Sequence, residues 1–161
     1  MNERSPRTGS KPRIMMVASG GGHLVQLCRL VRAMERDTAA DALLVTSGAL
    51  PEEAPAFAGV AACTDFSRDD PWRALHTFAE IRRLLRDHRP EFVVTTGAAP
   101  GLVAIVAARM RGLRCLWIDS LANPRRLSLS GRLARLAGAT VISQWPAVAR
   151  RHGVGYHGSV L

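Results

Sequence analysis

Ser19, Gly20, Gly21, Gly22 and His23 are the residues of this chain best suited to chemistry. They directly follow the apolar run Ile14–Ala18 and directly precede a helical pattern, so the order reads strand, glycine turn, helix. Glycines permit a tight backbone and close approach of a ligand, and free N–H groups at the following helix start favour an anion, typically a phosphate. A histidine at the mouth of such a site can donate to a phosphate or take a proton from an attacking hydroxyl, because its charge changes near neutral pH.

Three further groups extend that chemistry. Thr95, Thr96, Gly97, Pro100 and Gly101 belong to a second strand, glycine turn, helix passage, which supplies either more backbone donors or an ordinary connection between a strand and a helix. Asp119 ends the run Cys115–Ile118, so its carboxylate is expected in the same cleft as His23. There it orients His23, contacts a sugar hydroxyl, or caps a turn through Ser120 and Asn123. Arg82 and Arg86 share a helical stripe with Leu75 and Ala79, inside the apolar arc formed with Phe78, Ile81 and Leu85. An apolar and cationic face suits an anionic membrane surface or a lipid-linked phosphate; the alternative is arginine stems reaching past the core edge into water.

Two nucleotide readings fail on these residues. Gly20-x-Gly22-x-x-Val25 lacks the third small residue of a dinucleotide fingerprint, and the second strand ends in Thr46-Ser47 where a ribose-binding acid belongs. No Gly-Lys-Ser/Thr follows the glycines, and the only lysine, Lys11, precedes the first strand, which removes ATPase and kinase readings. Neither spacing nor residue type suggests a metal site.

The elements that must position these residues are legible. Apolar segments at Ile14–Ala18, Ala42–Thr46, Val60–Cys63, Phe92–Thr95 and Cys115–Ile118, with a weaker one at Thr140–Ile142, alternate with helical patterns. Such alternation means βαβ units and parallel strands covered on both faces, hence an α/β three-layer sandwich with a mostly parallel Rossmann-like sheet. Leu24–Arg36 carries Leu24, Leu27, Cys28, Val31 and Met34 at helical spacing. Asp70-Pro71 opens a helix that runs to about His88, Pro100 and Gly101 start a third, Ser128 or Ser130 opens a fourth ending near Gly138, and Pro146 starts a fifth ending at Gly153. In such a sheet ligands bind at the carboxyl ends of the strands, where Ser19–His23, Thr95–Gly101 and Asp119–Pro124 collect.

Composition bounds the rest. With 161 residues the chain suits one domain, residues 13–161, preceded by a flexible basic tail at residues 1–12 that lacks the apolar core of a secretion signal. The formal charge of +9 is almost wholly arginine. It points to phosphates, nucleic acid or an anionic membrane, or to GC-rich coding DNA. Cys28, Cys63 and Cys115 are odd in number and set in apolar stretches, which fits buried reduced thiols and a cytosolic chain. No apolar run reaches the roughly 18 residues of a spanning helix, so membrane contact is expected to be peripheral.

Met15–Leu24, Val93–Ala98, Trp117-Ile118-Asp119-Ser120, Ser128–Leu133 and Ser143-Gln144-Trp145-Pro146 occur in the order seen in Alg-fourteen-like oligosaccharide biosynthesis proteins, and over nearly its whole length the chain resembles that family. The resemblance implies the acceptor-side, N-terminal half of a GT-B glycosyltransferase. The first glycine loop and the Thr96–Gly101 turn are also similar to the N-terminal half of the peptidoglycan lipid-linked N-acetylglucosamine transferase, which implies a lipid-pyrophosphate acceptor.

It further implies a partner subunit that binds the UDP-sugar donor, so that this chain holds no cofactor of its own, and inverting transfer in a cleft between two chains. Ser19–His23 and Thr96–Gly101 would hold the acceptor phosphate, with His23, or as second choice Asp119, as base. Two departures, the lack of the N-terminal anchor of the dolichol-pathway members and an aspartate where many relatives carry glutamate, imply a peripheral subunit on the cytoplasmic face of a bacterial inner membrane. Gln144-Trp145-Pro146 is read as family-specific packing, a partner surface, or a turn into a short helix. The competing reading is an arginine-rich nucleotide- or RNA-binding module; with aromatics at 5%, stacking platforms are scarce and nucleic acid is not expected.

Overall fold

A computed structural model of the chain describes residues 13–34, 39–66 and 70–160; the tail expected at residues 1–12 lies outside them. The described residues form a six-stranded, all-parallel sheet flanked by five α-helices. In chain order these are β1 (Ile14–Ala18), α1 (Gly22–Ala33), β2 (Ala42–Thr46), β3 (Gly59–Ala62), α2 (Pro71–His88), β4 (Phe92–Thr95), α3 (Ala98–Arg109), β5 (Arg114–Ile118), α4 (Leu129–Leu136), β6 (Thr140–Ile142) and α5 (Pro146–His152). The strand order is β3-β2-β1-β4-β5-β6. The chain therefore reverses direction across the sheet between β1 and β4, the switch point where doubly wound folds open their ligand crevice.

Both faces of the central strands are apolar, as parallel strands require. Met16, Ala18, Leu44, Val94 and Ile118 pack under Leu24, Leu27, Cys28 and Val31 of α1. On the other face Met15, Val17, Val45, Val93 and Trp117 pack under Ile81 and Leu85 of α2, Ala104, Ile105 and Ala108 of α3, Ala134 of α4 and Val148 of α5. Each large apolar side chain buried this way contributes about 1.5–3 kcal/mol. The register sets Val17, Thr95, Trp117 and Val141 in one row, so the loops after β1, β4, β5 and β6 leave the sheet at a common level.

Several expectations need correction. Strand β3 is an edge, covered on one side only: its burial alternates, and Val60 is 52% exposed. No helix lies between β2 and β3, where Gly48, Pro51 and Pro55 break helical pattern. Helix α1 ends at Ala33, and Met34, expected in its apolar stripe, is an exposed, extended C-cap.

Helix α2 begins as expected, with Asp70 accepting the Arg73 N–H and Pro71 in the first turn. Its buried stripe is Thr77, Ile81 and Leu85, whereas Leu75, Ala79, Arg82 and Arg86 face outward. The two arginines therefore lie outside the core arc, because α2 is an outer-layer helix whose inner face is filled by its apolar and threonine residues. Arg82 places its guanidinium 5.9 Å from the Phe78 ring centroid.

Candidate functional site

The glycine loop after β1 is built by close approach of a second backbone. A Cβ on Gly48, in the loop after β2, would come within 2.5 Å of the Gly20 Cα. The Gly20 N–H donates to Ser47 Oγ at 3.2 Å, and the Ser47 hydroxyl donates to Asp65 Oδ2 at 3.0 Å. Gly20 therefore anchors the loop, with its N–H committed to Ser47. Ser19 is buried. Gly21 and Gly22 are exposed, with open space where a Cβ would stand. Gly21 has a φ of 73° and leads into α1, whose N-terminus has no side-chain cap. Its first amides are thus left to water or an anion.

The loop after β4 mirrors it. Thr95 Oγ1 accepts the Gly97 N–H at 3.1 Å and fills the space a Cβ on Gly101 would need, so Gly101, buried like Pro100, serves packing. Gly97 has φ 129° and ψ −160°, a region open essentially to glycine alone, and Ala98 is left-handed at φ 66°. Helix α3 also starts without a side-chain cap, in contrast to α2, capped by Asp70, and α4, capped by Ser128.

His23 joins the two loops. Its Nδ1 lies 2.9 Å from the Thr96 carbonyl oxygen, and the Thr96 hydroxyl donates to the His23 carbonyl at 2.7 Å. A Cβ on Gly97 would sit 2.9 Å from the same Nδ1, so only glycine lets the ring lie against this loop. A carbonyl oxygen only accepts, so the bond requires a proton on Nδ1, and the neutral imidazole then carries its lone pair on Nε2. The ring is held as a base whose free nitrogen is the one not tied to the protein.

Asp119 does not pair with His23. It is 2% exposed. Its carboxylate accepts Trp117 Nε1–H at 3.0 Å, Ser128 N–H at 2.9 Å and the Ser128 hydroxyl. The carboxylate closes residues 119–128 into a loop and supports the N-cap of α4. A Cβ on Gly131 would lie 2.9 Å from both the Asp119 carboxylate and Trp117 Nε1, which explains the small residue there. Capping through Ser120 and Asn123 is replaced by capping at Ser128.

Two buried glutamines extend this network, and both act through their amides. Gln26, one turn after His23 on α1, donates to the Asp119 carbonyl at 3.4 Å and accepts the Leu121 N–H at 3.3 Å. Gln144 donates to the same carbonyl at 2.8 Å and accepts the Val160 N–H at 3.0 Å. Trp145 Nε1–H donates to Leu121 O at 2.9 Å, so Gln144-Trp145-Pro146 is packing and a turn into α5. Sequence reading missed Gln26, Ser47 and Gly48. A glutamine among apolar helix positions was the one available signal; the pairing of Gly48 with Gly20 spans two loops and leaves no local pattern.

The three cysteines are buried and unpaired. Burial lifts the Cys63 and Cys115 thiols to about 11, with Glu80 and Asp65 adding to the rise at Cys63 and Arg109 opposing it at Cys115. Among the described residues no group of three His, Cys, Asp or Glu side chains could hold a metal ion, and no helix is long and apolar enough to cross a membrane.

No protein-family model matches the chain. It is 23% identical to a UDP-N-acetylglucosamine transferase subunit ALG14 of Yarrowia lipolytica, over 94% of this chain and 82% of that protein. A protein of the same name in Eremothecium gossypii is 33% identical over 49% of this chain and 39% of its own length. Among solved structures, Acinetobacter baumannii MurG superposes on 84% of this chain and 42% of its own, with TM-score 0.62 and 16% identity. The MnaA–UDP structure from S. aureus superposes on 93% of this chain and 44% of its own, with TM-score 0.69 and 10% identity. The chain thus spans less than half the length of the solved proteins it matches. In sequence the chain is similar to the two ALG14 subunits, and in fold it is a Rossmann-like α/β unit that matches a little under half of the MurG and MnaA chains.

Proposed function

We propose that the chain is the acceptor-side subunit of a two-chain glycosyltransferase, which transfers a sugar from a UDP-sugar bound by a partner subunit to a polyprenyl-pyrophosphate-linked acceptor. The observation that carries this reading is the convergence of two helix N-termini, α1 and α3, both without side-chain caps, at the switch point of the sheet, with His23 tied between them to Thr96 O at 2.9 Å. The ALG14 names of the sequence relatives support it.

In this mechanism the exposed amides at Gly21, Gly22 and His23, with those after Gly97, hold the acceptor's pyrophosphate by hydrogen bonds and helix dipole. Thr96 fixes the ring of His23, and Nε2 takes the proton of the attacking hydroxyl as the new bond to the sugar C1 forms and the bond to UDP breaks from the opposite side. Ser19, Gly20, Pro100 and Gly101 shape the loops without touching the ligand, and Asp119 positions residues 119–128. Arg82 and Arg86, on the outer face of α2 with Leu75 and Trp72, meet an anionic membrane, and the chain works peripherally on the cytoplasmic face of a bacterial inner membrane. No nucleic acid is part of this reading.

Tagged protein purified from native membranes tests it directly. A stoichiometric partner and label passing from UDP-sugar into lipid, lost in His23→Ala while the partner is retained, is the expected result. A chain recovered alone and bound to nucleic acid overturns it.

A further inference from the structure

We infer that a second anion site, for a phosphate monoester or diester group, lies at the opposite end of the molecule from the glycine loops. It is a cleft of about 260 Å³ between α2 and the turn after α3, bordered by Ala79, Arg82, Arg83, Arg86 and Arg111. The site extends the membrane contact proposed above for Arg82 and Arg86, resting on that reading for a lipid source of the phosphate and not on the transfer chemistry.

Topology separates the two sites. Each of α2 and α3 leaves a strand's carboxyl end and returns to the amino end of the next, so Arg82–Arg86, in the second half of α2, and Arg111, two residues past α3, sit beside the amino ends of β4 and β5. At 1.5 Å per residue, Arg86 lies about 24 Å along α2 from its N-cap. The cleft therefore shares no residue with the switch-point crevice.

Its charge is one-sided. Asp87 is the carboxylate that meets this group, 3.6 Å from Arg83 and 3.2 Å from Arg86, with all three side chains more than half exposed. Arg82 borders the cleft with its guanidinium 5.9 Å from the Phe78 ring centroid, a contact that leaves its charge uncancelled. One carboxylate against four guanidiniums leaves about three positive charges around one opening, and the planar fork of arginine matches two phosphate oxygens at once. One side of the rim is apolar: Met110, 72% exposed, directly precedes Arg111, and exposed Leu75 lies on the same outer face of α2, about two turns before Arg82. An apolar rim beside a cationic cleft suits a phosphate held at a lipid surface, and the same guanidiniums would take the group free in solution.

The test uses two probes on the full chain: glycerol 1-phosphate followed by NMR titration, and sedimentation with phosphatidylcholine vesicles with and without phosphatidylglycerol. Each neutralised charge is expected to weaken binding about fivefold, so Arg83→Glu and Arg111→Glu each lower it more than tenfold. Arg29→Glu, an exposed arginine on α1 across the sheet, makes the same charge change and is expected to alter it less than about twofold. Loss on both probes means the cleft takes the phosphate from either source; loss on vesicles alone assigns a lipid headgroup, and loss on glycerol 1-phosphate alone a free phosphate. Absence of binding to either probe, or equal loss in Arg29→Glu, overturns the site. Circular dichroism checks folding, and Arg83→Glu, on an exposed helix face, carries the test if Arg111→Glu does not fold. His23→Ala is expected to retain this binding, so failure of the transfer mechanism and failure of the cleft are distinguishable.

Discussion

Replacing Asp119 by asparagine tests whether this carboxylate builds the structure or does chemistry. The side chain is 2% exposed, and its two oxygens accept from Trp117 Nε1, the Ser128 N–H and the Ser128 hydroxyl. Asparagine keeps the shape but turns one oxygen into an NH₂. In place of Oδ2 it meets the Ser128 N–H, donor against donor; in place of Oδ1 it meets the Trp117 indole N–H. Either orientation leaves a buried donor unsatisfied, at about 1–3 kcal/mol, and the remaining bonds lose their charge, roughly 1 kcal/mol more. A loss of about 2–4 kcal/mol lowers the Tm of a chain this size by about 4–16 °C. Thermal and urea denaturation followed by circular dichroism measure it, beside a transfer assay run well below the lowered Tm. A destabilised variant that still transfers sugar is the expected result. An Asp119→Asn protein that melts with its parent but has lost transfer refutes the reasoning and returns Asp119 to the role of base.

Other outcomes follow from the same geometry. Gly97→Ala forces a side chain into a left-handed glycine conformation at φ 129° and against the His23 ring at 2.8 Å; it is expected to cost about 1–3 kcal/mol and to lower kcat more than it raises KM. Gly48→Ala pushes on the Gly20 backbone from 2.5 Å and is expected to cost a similar amount, read by urea midpoint, with weaker binding of a pyrophosphate acceptor analogue. Burial raises the Cys63 and Cys115 thiols from 9.0 to about 11, so they ionise earlier in the unfolded chain. Stability is expected to be complete below about pH 9 and to fall toward pH 11, by on the order of 2 kcal/mol for each thiol, and Cys63→Ala with Cys115→Ala flattens that fall in pH-dependent denaturation. The same two thiols are expected to resist a disulfide-exchange reagent at pH 8 in native protein and to react once it is unfolded.

The sequence by itself determined the order of elements. Short apolar runs between helical patterns mark the strands, buried on both faces at the centre of the sheet and on one side only at the edge strand β3. Asp70-Pro71, Ser128 and Gly153 mark helix ends through local hydrogen bonding and backbone preference. It also determined that two glycine turns open two helices, since that signal lies within a few residues. Tertiary structure decided what those turns do. Gly20 anchors because Gly48 arrives from another strand, His23 has a defined free nitrogen because Thr96, 73 residues away, holds the other, and Asp119 is a strut because Ser128 and Trp117 surround it. The outward turn of Arg82 and Arg86 was likewise set by which side of α2 met the sheet. Hydrophobic period and capping act over one helical turn and leave a local pattern; a hydrogen bond between loops depends on sheet register and strand order, and leaves none.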